Sequence, residues 1–340
     1  MHYSVLARYI FVSFFFTSPA SANCILFNYN ERLSNYCLLE SITGKLLDKN
    51  STLFIAKNLR REGYFGGLEK PEFSTRFYPT IDYSNNINGG NPDKPFILGA
   101  LEFEGDKDLI KQEGIITALN AEVRSRLTFD VGKYIDTSLL GSYSYSPKHK
   151  NGFSTVSIDT CLKNKIAPRN SLDFCTYVTK QKKEISENST KNFSINLGHL
   201  SFNKNAGFTE GKIGVTHLVS NNYSQNQIAL SLDTIHKKSF YTSIVLRLGE
   251  PVQNSIALNY GLNLKVASIL NNRKLGLEFS HELNNGGLIF GVKRSEITNR
   301  VSLNSILNNN ANLRFSYTSV DSSIDYFDQS YPSLVLTYLW

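Results

Sequence analysis

From Glu72 to the end, the chain is written in runs of roughly 9–14 residues in which apolar and polar side chains take turns, the period of a strand whose neighbours point to opposite faces. The clearest run sets Phe240, Thr242, Ile244, Leu246 and Leu248 against Ser239, Tyr241, Ser243, Val245 and Arg247. The next opposes Ile256, Leu258, Tyr260, Leu262, Leu264 and Val266 to Asn259, Gly261, Asn263 and Lys265. Leu275, Leu277, Phe279 and Leu283 then alternate with Gly276, Glu278, Ser280 and Glu282, and His281 interrupts the apolar face. Between Phe193 and Phe202 the apolar phase slips by one at Gly198–His199, which predicts a β-bulge. The run 96–105 is weak, and 286–294 with 299–306 reads as one interrupted strand. The preferred number is therefore about fourteen, within a range of roughly 12–16.

Strands of this length exceed the roughly 5–6 residues usual in soluble sheets and match the roughly 9–11 that a tilted strand needs to cross an apolar layer. The connections are hairpin-sized, as at Asn221-Asn222-Tyr223, His236-Lys237-Lys238, Glu250-Pro251-Val252 and Asn284-Asn285-Gly286-Gly287. The predicted fold is all-β and transmembrane: an antiparallel up-and-down barrel over 72–340, behind a short helical N-terminal segment. A charge on the lipid face near midplane costs about 2–4 kcal/mol, so charged positions belong inside. Asp233, Arg247, Lys265, Glu278, Glu282, Lys293 and Arg314 are the lumen candidates. Tyr143, Tyr145, Tyr241, Tyr317 and Tyr338 are expected in the interfacial girdles.

The two ends agree with this reading. Residues 1–22 place His2 and Arg8 before a short apolar body, Tyr9 to Phe16, then Pro19 and Ala20-Ser21-Ala22, the pattern of a cleavable signal peptide. Over 23–71, Leu33, Cys37, Leu38, Ile42, Leu46 and Leu47 recur at helical spacing, and Leu53 to Leu59 continues toward a break at Glu62-Gly63. This segment reads as one or two short helices, either a periplasmic appendage or a plug. At the other end Leu334, Leu336, Tyr338 and Trp340 share a strand face, and the chain stops on an aromatic residue. That ending resembles the carboxy-terminal signal of bacterial outer-membrane barrels, which implies handling by the barrel assembly machinery.

Composition sharpens the picture. Tyr (18) and Phe (22) are abundant and Met occurs once, a balance suited to strands and turns. The net charge of +7 is concentrated in part between Lys148 and Lys191. Nothing resembles a nucleic-acid module, so the anions expected as partners are outer-membrane lipid head groups and lipopolysaccharide phosphates. Four cysteines in an exported chain predict two disulfides, and Cys24 with Cys37 and Cys161 with Cys175 is the most economical of three connectivities. Lipidation of Cys24 is the competing use of that thiol. The spacings do not fit zinc.

Candidate chemistry is sparse. His199-Leu200-Ser201 puts a base and a nucleophile two residues apart on one strand face, the spacing used by outer-membrane phospholipases, with Asn203 and Asn196 nearby. His-x-Ser is common by chance, and the residue set is read as non-enzymatic. Asn85 to Asp93 is rich in Asn and Gly, but only Asp82 and Asp93 offer carboxylates, too few for a calcium loop. No metal, nucleotide or other cofactor motif is present.

The stretch Pro79-Thr80-Ile81-Asp82-Tyr83-Ser84-Asn85-Asn86-Ile87-Asn88 resembles the first strand and loop of the barrel domain of surface lipoprotein assembly modifiers, over a region equivalent to 72–340. The resemblance implies a fourteen-strand barrel preceded by a periplasmic stack of helical repeats, together helping lipoprotein clients to the cell surface. Here only 23–71 precede the barrel, room for one helical pair where about three repeats make a stable stack. The expected function is passage or surface assembly across the outer membrane. A passive diffusion porin is the alternative, ahead of a structural or adhesive barrel and a lipid-modifying enzyme.

Overall fold

The computed structural model describes residues 24, 29–42, 49–64, 70–93, 95–98, 101–104, 106–237, 240–253, 255–270, 273–289, 291–308 and 311–338. Residues 1–22, read above as a signal peptide, and Trp340 lie outside the described residues. Two helices, α1 Glu31–Ile42 and α2 Lys49–Arg61, precede the strands. These are β1 Glu72–Ser84, the short β2 Phe96–Leu98 and β3 Leu101–Phe103, β4 Gly114–Asp130, β5 Lys133–Ser146, β6 Asn151–Ala167, β7 Asn170–Lys182, β8 Glu187–Asn203, β9 Gly207–Ser220, β10 Ser224–His236, β11 Phe240–Gly249, β12 Ala257–Leu270, β13 Arg273–Ile289, β14 Val292–Asn308, β15 Ala311–Ser322 and β16 Gln329–Tyr338.

Apart from the β2–β3 hairpin, the strands close into one antiparallel barrel of 14, in sequence order. Closure pairs Thr80 with Thr337 and Ile81 with Leu336, which removes the free edges. The weak run 96–105 is β2 and β3, outside the barrel. The run 286–294 divides between the end of β13 and the start of β14, so fourteen strands remain.

Alternation along each strand sets two surfaces. Outside, Phe73 and Phe77 are 68% and 63% exposed, and Ile115 and Leu119 are 62% and 64% exposed. An apolar surface of this extent has no place in water and is what a lipid-facing wall requires. Among the described residues no helix is long and apolar enough to cross a membrane; the strands do so.

The turns sort the barrel into two ends. Turns after β4, β6, β8, β10, β12 and β14 are two or three residues long, whereas the β1–β4 connection spans 85–113. Both termini of the barrel lie at the short-turn end, called here the near end. Short turns face the periplasm in outer-membrane barrels, so the far end faces outward.

Three sequence expectations need correction. No bulge occurs at Gly198–His199: β8 keeps continuous register with both β7 and β9. The apparent slip arises because Leu200 is apolar yet points inward, buried against the helices. Tyr241 is no girdle residue: it also points inward, is 3% exposed and meets the Tyr29 ring at 5.1 Å. Lys293 falls on the outward phase at the exposed β13–β14 hairpin, opposite Leu288, while Arg294 takes the inward position.

Candidate functional site

The helices α1 and α2 sit inside the near half of the lumen, and apolar packing holds them there. Cys24, Leu33, Tyr36, Cys37, Leu38 and Leu59 form one buried cluster with inward Leu200, Phe208, Ile235, Tyr241 and Ala267, which come from the consecutive strands β8 to β12. Fully burying a leucine is worth about 1.5–3 kcal/mol, so this contact alone anchors the segment. The Cys24–Cys37 disulfide closes the front of the plug across a sequence separation of 13, and excludes lipidation of that thiol. A second bridge, Cys161–Cys175, joins directly opposed inward positions of β6 and β7.

A polar collar surrounds the apolar contact. Arg32 of α1 meets Asp173 at 2.7 Å and Glu210 at 3.4 Å, with Asp173 and Glu210 side chains 3% and 0% exposed. Lys163 and Lys212 complete these two sites at 3.2 and 2.9 Å. Asn30 donates to Glu210 and, at 3.0 Å, to Asp233, which also accepts from the Tyr241 hydroxyl at 2.7 Å. On the other side Glu31 receives both terminal nitrogens of Arg126 at 2.9 and 2.8 Å, while the Arg126 Nε binds Asp136 at 2.5 Å. The exit of α2 is sewn to the wall: Arg61 pairs with Glu72 at 2.6 Å, Thr128 donates to the Arg61 carbonyl at 3.0 Å, and Gly132 N–H donates to the Glu62 carbonyl. Gly63, at φ +91°, passes so close to Asp130 that a Cβ would lie 2.1 Å from its carbonyl oxygen. Only glycine fits there.

The plug carboxyls titrate differently. Burial raises Glu31, but the hydrogen bonds and charge of Arg126, with Arg61 and Lys163, outweigh it and leave the carboxyl below its ordinary range. Glu62 is pushed up to about 7, chiefly by burial and further by Glu31, against a 2.8 Å hydrogen bond from Asn35 and the charges of Arg32 and Arg126. Arg32 stays charged because Asp173 and Glu210 outweigh its desolvation.

Between α2 and the wall of β1, β4, β5 and β6 the lumen leaves a chamber of about 810 Å³ beside the plug. Lys57, Arg61, Arg76, Arg124, Arg126 and Lys163 line it against Glu31, Glu72, Asp136 and Asp159, together with Ser74, Thr137 and Ser138. Arg76 and Lys57 have no ion pair among the described residues.

Of the lumen candidates from sequence, Asp233, Arg247, Lys265, Glu278, Glu282 and Arg314 are on inward positions. Arg247 pairs with Glu282 at 2.5 Å and Arg314 with Glu278 at 3.3 Å, and Lys265 lies 3.7 Å from the Tyr29 ring centroid. Glu31, Arg32, Arg126, Asp173 and Glu210 were not singled out from sequence. For Asp173, the signal was present in its place between outward Leu172 and Phe174. Leu334, Leu336 and Tyr338 face outward on β16, at 50%, 37% and 43% exposure.

His199 and Ser201 face outward near the near end. The His199 ring is held by Asn170 at 2.7 Å, and among the described residues no hydrogen bond joins it to Ser201. The same His–Asn pairing recurs outside at His217–Asn226 and His281–Asn299, so it is a motif of the wall. Over the far mouth, the Asn-rich loop bonds to itself: Asn88 donates to the Ile110 carbonyl at 2.8 Å and accepts from Gln112 N–H at 2.9 Å. The loop is latched to the β7–β8 turn by Ile185 N–H to the Asn88 carbonyl, 2.9 Å, and by Lys183 to the Asn86 carbonyl, 2.6 Å. Asp82 instead points inward and accepts from Ser333 at 2.9 Å.

No protein-family model matches the chain, and no curated protein matches it in sequence. Among solved structures, OccK2 (OpdF) of Pseudomonas aeruginosa in complex with glucuronate is similar at 9% identity and a TM-score of 0.43, over 80% of this chain and 98% of that one. OccAB4 of Acinetobacter baumannii is similar at 8% identity and a TM-score of 0.41, over 79% and 98%. The β domain of the Bordetella autotransporter BrkA follows at 8% identity and a TM-score of 0.35, over 78% and 99%. Likeness at this level is a matter of barrel build alone. The closed 14-strand barrel with its apolar outer wall is an outer-membrane β-barrel, and its place is the bacterial outer membrane.

Proposed function

We propose that this barrel is a plugged, porin-like channel that admits small polar solutes, anions in preference, and passes them when the N-terminal plug shifts. The observation that carries the reading is that α1 and α2 leave the near half of the lumen incompletely filled, with a wet chamber of about 810 Å³ between α2 and the wall of β1, β4, β5 and β6. In that chamber six cationic side chains face four carboxylates, and Arg76 and Lys57, without an ion pair among the described residues, bias the interior toward anions. Clefts walled by one sign of charge concentrate the opposite ion. The mechanism needs no bond-making: backbone groups are satisfied around the ring, and wall charges select.

Planar-bilayer recording of the full chain tests this. Expected are rare or small conductance steps from the intact protein, and larger, anion-selective steps from Arg32→Ala/Leu33→Ala, which loosens the plug while heat-modifiable migration shows the barrel intact. Large steps from the intact protein, or cation selectivity in the variant, would defeat the proposal. Surface assembly of lipoproteins draws no comparable support: α1 and α2 are one helical pair inside the lumen, where the resemblance implies a stack of repeats outside it. Handling of β16 by the barrel assembly machinery remains part of the proposal, with outward Leu334, Leu336 and Tyr338 as the residues read.

A further inference from the structure

Among the described residues, the lipid-facing phase gathers several like charges on two neighbouring strands. Along the lipid-facing phase of β1, β4, β6, β11, β12 and β16 the described residues include no charge, yet on β7 and β8 that phase bears Lys180, Lys182 and Lys191, all exposed and all near the far end. Register brings them together: Lys180 opposes Ser189, Lys182 opposes Glu187, and Lys191 opposes Val178, one step below Lys180 on the facing strand. The neighbouring β5–β6 turn adds exposed Lys148 and Lys150. Two glutamates share this sector. Glu187 binds Lys180 at 2.7 Å, and Glu184 accepts from Asn151 at 2.8 Å. Lys191 has no carboxylate partner among the described residues.

Charge on a lipid face is tolerated only toward the interfaces, and the far end is the outward one. These ammonium groups therefore stand at the head-group level of the outer leaflet. Directly below them lies bare hydrocarbon-facing wall: Val156 and Ile158 on β6, Phe193 and Ile195 on β8, exposed by 49%, 43%, 51% and 52%. Cations above and an apolar wall below match a lipid with several acyl chains and more than one phosphate. The opposite sector of the far rim has a different character, with outward Tyr317, Ser319 and Asp321 on β15.

From this we infer that the β6–β8 sector is a docking site for lipopolysaccharide, with Lys180, Lys182 and Lys191 as ligands of the phosphorylated disaccharide and the wall beneath them receiving acyl chains. Charge-assisted contacts to phosphate are the strong ones, and three lysines with one shared glutamate leave a net positive patch. The inference rests on outer-membrane residence and not on what passes through the lumen.

The test uses the full-length protein in neutral detergent, binding lipopolysaccharide, the same lipopolysaccharide stripped of its phosphates, and phosphatidylglycerol. The native chain is expected to bind the phosphorylated form about tenfold more tightly than the other two. Lys180→Gln/Lys182→Gln/Lys191→Gln is expected to lose that tenfold, while Lys293→Gln on the far hairpin keeps it. Heat-modifiable migration shows each variant folded, and Lys191→Glu alone serves if the triple variant does not fold. Equal binding by native and variant chains overturns the inference. So does equal binding of phosphatidylglycerol and lipopolysaccharide, which would reduce the patch to unspecific charge. Conductance is read separately, so a failure here leaves the channel reading standing, and the reverse.

Discussion

The two halves of the lumen are built from the same residue types and differ in what surrounds them. In the near half, Arg32 holds Asp173 and Glu210 with those carboxylates almost wholly out of water. In the far half, Arg247 and Glu282 of one such pair are 40% and 31% exposed. Breaking a buried pair costs about 3–5 kcal/mol because a charge is left stranded, whereas an exposed pair is worth about 0–1 kcal/mol. An arginine opposite a glutamate therefore acts as a clamp below and as a tuning charge above. The plug makes the difference by excluding water around Asp173 and Glu210.

The largest effect should come from Arg32→Ala, which strands Asp173 and Glu210 and weakens plug docking by about 3–5 kcal/mol. Limited proteolysis of the folded protein in detergent would then cut within 29–64, where the native chain resists. Equal resistance would show that the ionic collar does not hold the plug and would erase the contrast. Leu33→Ala should cost about 2–5 kcal/mol by opening a cavity at a position now 0% exposed, read by the same cleavage assay. Loss of resistance in the leucine variant alone would assign the docking to apolar contact.

The barrel was legible because lipid and lumen enforce strict alternation, and fourteen strands emerged from runs that the membrane keeps long. The plug was less legible. Its helical spacing could be seen, but its place in the lumen is written on the wall, at Leu200, Phe208, Ile235, Tyr241 and Ala267. Each lies within a few residues of the near end on one of five consecutive strands, and a wet lumen has no use for them. Taken singly, Leu200 looked like a slip of phase and Tyr241 like a girdle residue. The ionic collar was hidden for another reason: Arg32 and Glu31 meet carboxylates and arginines more than 90 residues away, which no local pattern reports.

A pH scan sharpens the contrast at intermediate size. Glu62 has its carboxyl raised to about 7 from an ordinary 4.5, so the docked state holds a proton that the undocked state releases. Docking is therefore favoured fully below about pH 4.5, and that contribution is lost as pH rises through about 7. The depressed Glu31 carboxyl acts in the opposite sense, contributing above its ordinary range and losing that contribution as acid protonates it. Resistance of the plug to protease should improve from pH 8 to pH 5.5 and fall again in stronger acid. Glu62→Gln should flatten the neutral limb and leave the acid limb. An unchanged neutral limb would place the titration elsewhere.

The smallest expected change in stability is the most informative about the far half. Arg247→Ala removes one member of an exposed pair, at 40% and 31% side-chain exposure, and should shift unfolding by less than about 1 kcal/mol. Its electrostatic consequence is larger than its energetic one, because the freed Glu282 then faces the wet lumen as a bare negative charge. In the plug-loosened background, the reversal potential under a salt gradient should move toward cations, while Glu282→Ala should move it toward anions. Opposite shifts from two variants of equal stability would show wall charge acting on solutes rather than on the fold, and equal shifts would mean that the pair only braces β11 against β13.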